Sequence, residues 1–174
     1  FTLKYGKGTV TFQIPGEQLL YEIKGRDRPA LEDLAAAYRQ ALDHPIDSPP
    51  LRELVRPGER VAILVSDITR PSPSRLLLPP ILEELADAGI QTRQISILFG
   101  LGVHRKQTEQ EQRSLVGDKI FDEIVCIDHD RDDCVEIGTT TRGAKVAVFR
   151  RLLAADLIIA TGNLEYHYFA GYSG

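Results

Sequence analysis

Apolar and polar positions alternate near the start of the chain, with Val10, Phe12 and Ile14 on one side and Thr9, Thr11 and Gln13 on the other. A period of two predicts a half-buried strand. Pro15-Gly16 marks a turn and residues 19–23 predict a partner, so an antiparallel strand pair is expected at the N-terminus. Leu31, Leu34, Tyr38 and Leu42 then recur at helical spacing. They predict a helix over 30–43, closed by Asp43-His44-Pro45 because the residue before proline resists the helical region. Residues 45–60 hold four prolines and read as a loop with one short helix near Leu51.

From residue 60 onward the pattern changes. Residues 60–65 are almost continuously apolar, as a parallel strand buried on both faces should be. The polar loop Ser66-Asp67-Ile68-Thr69-Arg70-Pro71 follows, then a helix over 80–88 that Gly89 caps. The sequence repeats the theme with a strand at 94–99, the loop Gly100-Leu101-Gly102-Val103-His104-Arg105, and a helix opening at Thr108. Glu111 completes a capping box there, and the helix ends near Gly117. A strand at 123–127 leads to Asp128-His129-Asp130. Two alternating segments at 134–137 and 145–149 come next, and a fully apolar strand at 156–161 leads to Gly162-Asn163. Alternating strands and helices predict one α/β domain over 1–174, a mostly parallel sheet flanked by helices with the antiparallel pair at its N-terminus.

Charge and composition narrow the function. The 21 basic and 25 acidic residues leave a net charge of −4 with no basic block, which argues against nucleic acid as a partner. No apolar run approaches the ~18 residues of a membrane span. Cys126 and Cys134 form neither a CxxC motif nor a zinc knuckle, so two reduced thiols in a cytoplasmic protein are expected. No signal peptide is seen at the start. The final Tyr172-Ser173-Gly174 has no closing element and reads as an interrupted chain.

In open parallel sheets, ligands bind beyond the carboxyl ends of the strands. Four such ends carry unusual polar content here: Asp67 with Arg70, His104 with Arg105, Asp128 with His129, and His167. Each has a plainer explanation. Asp67 could cap a turn, Arg70 could be a surface charge, and the glycines before His104 could serve only a tight bend. Asp128-His129-Asp130 could staple a loop, and His167 could pack among Tyr166, Tyr168 and Phe169. As a set they are more specific. Two histidines can work on opposite faces of one carbon, as base and as acid, while an arginine holds a carboxylate. That set suits an α-carbon racemase. An unactivated 2-hydroxy acid is too hard a substrate for histidine alone, so a further cofactor is required. Gly100-x-Gly102 is only half a dinucleotide fingerprint, and no HxH or HExxH spacing supports a histidine metal site.

These segments together resemble the nickel-dependent lactate racemase family: Ser66 to Pro71, Gly100 to Arg105 with Thr108-Glu109, Asp128-His129, and Gly162-Asn163 followed by His167-Tyr168-Phe169-Ala170-Gly171-Tyr172-Ser173-Gly174. The resemblance runs from about residue 10 to the end and covers the N-terminal part of the family's length. It implies the catalytic domain of a longer two-domain enzyme that acts on a small 2-hydroxy acid. It also implies a nickel-pincer nucleotide, to and from which hydride moves. His104 and His167 would alternate as base and acid on the substrate hydroxyl, so the histidines handle the hydroxyl proton rather than the α-hydrogen. Arg70 would orient the carboxylate, and Asp67, Ser173 and Gly174 would contact the cofactor. Asp128 and His129 inherit no role. The family's cofactor-bearing lysine and nickel-ligating histidine would lie past Gly174, so this stretch alone is expected to be inactive and cofactor-free. The alternative is a domain that binds a nucleotide or anion without chemistry.

Overall fold

The computed structural model describes residues 1–25, 28–169 and 171–173, and the chain divides into two units, 1–32 and 33–174. In the first, β1 (Thr2–Tyr5) pairs antiparallel with β2 (Gly8–Thr11). Leu3 faces Val10 across the pair, and Phe1 stacks on Phe12 with ring centroids 5.9 Å apart. The expected antiparallel pair is present, but it lies earlier than its apolar pattern suggested, and residues 19–23 form no strand. The cause is the two-residue loop Gly6-Lys7. Gly6 takes φ 56°, the positive value that tight hairpin turns require of their first residue and that glycine adopts freely.

The second unit opens with α1 (Leu34–Asp43), capped by Asp33, whose carboxylate accepts a 2.9 Å bond from Ala36 N. A short α2 (Leu51–Leu54) precedes β3 (Val61–Ser66). Next comes α3 (Ser74–Asp87), which starts well before the expected 80–88 and runs through Pro79 and Pro80. The carbonyls those prolines cannot bond belong to Arg75 and Leu76, which are exposed, so water can satisfy them. The chain continues through β4 (Ile95–Gly100), α4 (Glu109–Val116), α5 (Asp118–Glu123) and β5 (Val125–Asp128). The hairpin β6 (Cys134–Thr139) and β7 (Lys145–Phe149) leads through α6 (Arg150–Leu153) to β8 (Leu157–Ala160). A last pair, β9 (Glu165–His167) and β10 (Gly171–Ser173), was not expected from the sequence.

Four strands form one all-parallel sheet in the order β5-β4-β3-β8. Its central strands are buried on both faces. Ile63, Val65, Ile97 and Phe99 pack with Leu78, Ile81 and Leu85 of α3 and with Leu115 and Val116 of α4. Ala62 and Leu98 pack on the other face against Phe149 and Leu152. The last apolar strand behaves differently from its sequence pattern. β8 is a sheet edge, and Ile158 is 48% exposed. Both cysteines carry free thiols, and burial pushes that of Cys126 up to about 11. Among the described residues, no helix is long and apolar enough to cross a membrane.

Candidate active site

Asp67, Arg70, His104, Asp128 and His129 lie at or just past the carboxyl ends of β3, β4 and β5, whereas His167 lies in the separate β9–β10 pair. Asp67 follows β3 directly and is only 3% exposed. Its Oδ1 accepts from Thr69 N at 3.0 Å and from the Thr69 hydroxyl at 2.6 Å. Its Oδ2 pairs with Nδ1 of His104. Burial alone would push this carboxyl up, but the bonds from Thr69 and His104 outweigh it and hold the group below its ordinary value. An ionised carboxylate can only accept, so Nδ1 of His104 carries a proton, and in the neutral ring Nε2 then keeps its lone pair. Asp67 therefore caps the turn and orients the histidine at once.

His104 reaches Asp67 because of the turn that follows β4. Its N–H donates to Leu101 O at 2.9 Å, and Gly102 takes φ 57° inside that turn. The second glycine of Gly100-x-Gly102 thus serves the bend. The next three residues each tie the loop to a different place. Arg105 forms a two-pronged pair with Glu111 at 2.8 and 2.7 Å. Lys106 Nζ donates to His129 O and to Asp130, each at 3.1 Å. Gln107 binds Asp128 and, through its Oε1, Ile68 N at 2.8 Å.

Asp128 and His129 hold structural positions. Asp128 is buried and accepts three N–H bonds, from Gln107 N at 2.6 Å, Gln107 Nε2 at 3.0 Å and Gln112 Nε2 at 2.9 Å. His129 donates its N–H to Phe99 O, sets its ring edge-on to Phe149 at 5.5 Å, and lies 3.6 Å from the Cys134 sulfur. Gln107 is the site residue that sequence reasoning missed. Its signal was weak, since one glutamine next to a capping box looks like helix punctuation.

Arg70 stands exposed in the loop after β3, its N–H donating to Asp67 O at 3.1 Å. Among the described residues it forms no ion pair with any carboxylate and no bond to His104. His167 ends β9, exposed. Its Nδ1 accepts from Phe169 N at 3.1 Å and its ring stacks on Tyr168 at 4.8 Å. A neutral imidazole that accepts at Nδ1 carries its proton on Nε2, the opposite tautomer to that of His104. Of the three residues expected at the cofactor, Asp67 is taken up by Thr69 and His104, Ser173 lies in β10 with only its backbone described, and Gly174 lies outside the described residues.

Two clefts open at this end of the sheet. One of about 460 Å³ is lined by Leu64, Val65 and Ser66 of β3, Gly100 of β4, and the segment from Ala160 to Leu164 after β8. The other, of about 470 Å³, is polar and includes His104, Lys106, His129 and Arg131. Thr161 in the first is occupied structurally, its hydroxyl donating to Leu64 O at 2.8 Å. Among the described residues, no group of three His, Cys, Asp or Glu is placed to hold a metal ion.

The chain is 31% identical over 180 residues to the lactate racemase of Thermoanaerobacterium thermosaccharolyticum, covering 99% of this chain and 41% of that one. It is 34% identical to the lactate racemase of Lactiplantibacillus plantarum, covering 99% and 42%. The chain thus spans about two fifths of the length of these relatives. Its fold superposes on the lactate racemase apoprotein of T. thermosaccharolyticum with a TM-score of 0.85 at 30% identity, over 99% of this chain and 41% of the other. A Thermotoga maritima protein shares the fold alone, with a TM-score of 0.59 at 20% identity over 71% of this chain and 33% of that one. The profile of the lactate racemase N-terminal domain matches residues 5–174, and with an Asp67–His104 pair at the mouth of its parallel sheet this chain belongs to that family.

Proposed function

We propose that this chain is the N-terminal catalytic domain of a racemase acting on a small, lactate-like 2-hydroxy acid. In this assignment His104 and His167 work as base and acid on the substrate hydroxyl, and Arg70 takes the carboxylate. The observation that carries it is the buried Asp67 bonded to Nδ1 of His104. That bond orients the ring, leaves Nε2 as a proton acceptor, and stabilises the imidazolium that forms when the hydroxyl proton arrives. His167 supplies the second imidazole of this reading. With Nδ1 engaged by Phe169 N, its neutral form presents an Nε2 proton. A racemase needs one group ready to take a proton and one ready to give it, and these two tautomers supply both. The guanidinium of Arg70 is exposed and has no carboxylate partner among the described residues. Its fork geometry matches a substrate carboxylate in a two-pronged contact.

The cleft at the ends of β3, β4 and β8 fits a nickel-pincer nucleotide in its nucleotide part. It lies where parallel sheets bind nucleotides, and Ser66, Asn163 and the Gly162 backbone line it. These residues would hold the nucleotide rather than the metal, since the described part of the chain has no metal cage of its own. When bound, the nickel-pincer nucleotide supplies a reversible acceptor for the α-hydrogen. The residues of this chain hold the substrate and move the hydroxyl proton.

The test is to load the full-length enzyme that carries this domain with nickel-pincer nucleotide and follow interconversion of the enantiomers of several 2-hydroxy acids. His104→Ala and His167→Ala should each lower kcat by about 10²–10⁴-fold while the fold is kept. Arg70→Ala should act mainly through KM. A protein that binds nucleotide and interconverts none of the acids is a binding domain, and the assignment then fails.

A further inference from the structure

The mechanism leaves one partly buried network unused. Gln107 and Asp128 lie between the two loops that carry the proposed chemistry, and every polar atom of the Gln107 side chain is committed. Its Oε1 accepts from Ile68 N at 2.8 Å, inside the loop that holds Asp67 and Arg70. Its Nε2 donates to Asp128 Oδ1 at 3.0 Å, and its main-chain N donates to Asp128 Oδ2 at 2.6 Å. Asp128 ends β5, is 8% exposed and has no cationic partner among the described residues. Three neutral N–H groups hold its charge, the third from Gln112 of α4. The amide of Gln107 has one possible orientation, because its oxygen must face the Ile68 N–H and its NH₂ the carboxylate.

We infer that Gln107 and Asp128 are positioning residues for the reaction: a strut that fixes the Asp67–Arg70 loop at one distance from the His104 loop. This rests on the racemase assignment above. The physical basis is that Asp67 and His104 sit on separate strand ends and meet only if both loops hold their places. Ile68 is the residue between Asp67 and Thr69, so a tether on its N–H restrains the backbone of the turn that aims the Asp67 carboxylate. Gln107 is three residues past His104 on the other loop, so the same side chain restrains both partners. Asp128 in turn holds Gln107 to β5, a strand of the sheet. An error of about 1 Å between reacting groups costs on the order of 10²-fold in rate.

The test uses the cofactor-loaded enzyme and four variants. Gln107→Met keeps the length and removes both side-chain bonds, and should lower kcat/KM by about 10²-fold. Its urea midpoint should fall little, and the amide of Ile68 should exchange with deuterium faster than in the parent. Gln107→Glu sets two carboxylates face to face, and Asp128→Asn sets two amides so; each alone should lower kcat/KM. The double exchange Gln107→Glu with Asp128→Asn restores one donor and one acceptor in the opposite sense, with the Gln112 amide turning its oxygen toward the new NH₂ group. It should bring kcat/KM back to within about three-fold of the parent. A residue that merely stabilises the fold would move the urea midpoint and leave the rate alone. Parent-like kcat/KM in Gln107→Met overturns the strut, as does a double exchange no more active than the single variants. Should the parent itself racemise no 2-hydroxy acid, the racemase assignment falls. The strut is then decided by Ile68 exchange alone, and an unchanged rate in Gln107→Met overturns it.

Discussion

Asp67 carries the largest burden of any single residue in this domain. A buried carboxylate is costly unless its lone pairs are met, and here Thr69 and His104 meet them. Asp67→Asn keeps the shape but removes the charge that selects the Nδ1–H tautomer of His104. The variant should fold and lose on the order of 10²-fold or more in kcat, read as racemisation rate in the cofactor-loaded enzyme. The same residue shapes stability in acid. Its carboxyl lies below its ordinary value in the folded chain because its hydrogen bonds outweigh burial. Its contribution is therefore complete above the unfolded carboxyl value of 3.8 and is lost as pH falls through the lower, folded value. Urea midpoints followed downward from pH 6 should fall less steeply in Asp67→Asn than in the parent. Identical slopes would mean that the carboxylate is not held as described.

The element that matters most is α4, because the His104 loop is tied to its first turn. Thr108 caps it, accepting from Glu111 N at 3.2 Å, while Glu111 reaches back to Thr108 N at 2.8 Å. Glu111 also takes both prongs of Arg105, and that pair together with the Thr108 N–H pushes its carboxyl down to about 2. The contribution of Glu111 is present above its ordinary 4.5 and is lost as pH falls from there toward 2. Because Arg105 is exposed and Glu111 partly so, salt should weaken this dependence. Thr108→Ala should cost about 1 kcal/mol of stability by chemical denaturation, the usual worth of an N-cap. A loss of nothing measurable would show that α4 is held by its buried Leu115 and Val116 alone.

At the scale of the whole molecule, the central strands decide where the site can be. β3 and β4 are covered on both faces, and their carboxyl ends deliver Asp67 and His104 to neighbouring positions. α3 supplies much of one cover through Leu78 and Leu85, both 0% exposed. Leu78→Ala should destabilise the domain by about 3 kcal/mol through lost burial and the cavity left behind, measured as a shift in urea midpoint. A cost below about 1 kcal/mol would mean that the helix repacks freely and that this face is not the close-packed core described.

Much of this was written in local pattern. Continuous apolar runs marked β3 and β4 as buried parallel strands, the Thr108–Glu111 spacing marked the start of α4, and strand-end position marked Asp67, Arg70 and His104. These signals are short-range, set by side-chain periodicity and by the hydrogen-bonding needs of helix ends. What the local pattern could not decide depended on neighbours distant in the chain. The apolar run of β8 reads as buried on both faces, yet only its place at the sheet edge determines that Ile158 is exposed. The helix expected to open at Pro80 starts instead at Ser74, because solvent beside Arg75 and Leu76 lets α3 run through both prolines. Asp128 was marked by its strand end, but nothing in the sequence joins it to Gln107, 21 residues earlier. Three strands had to pack side by side before a buried charge at one end could find its amide partners, and sequence spacing holds no record of that distance.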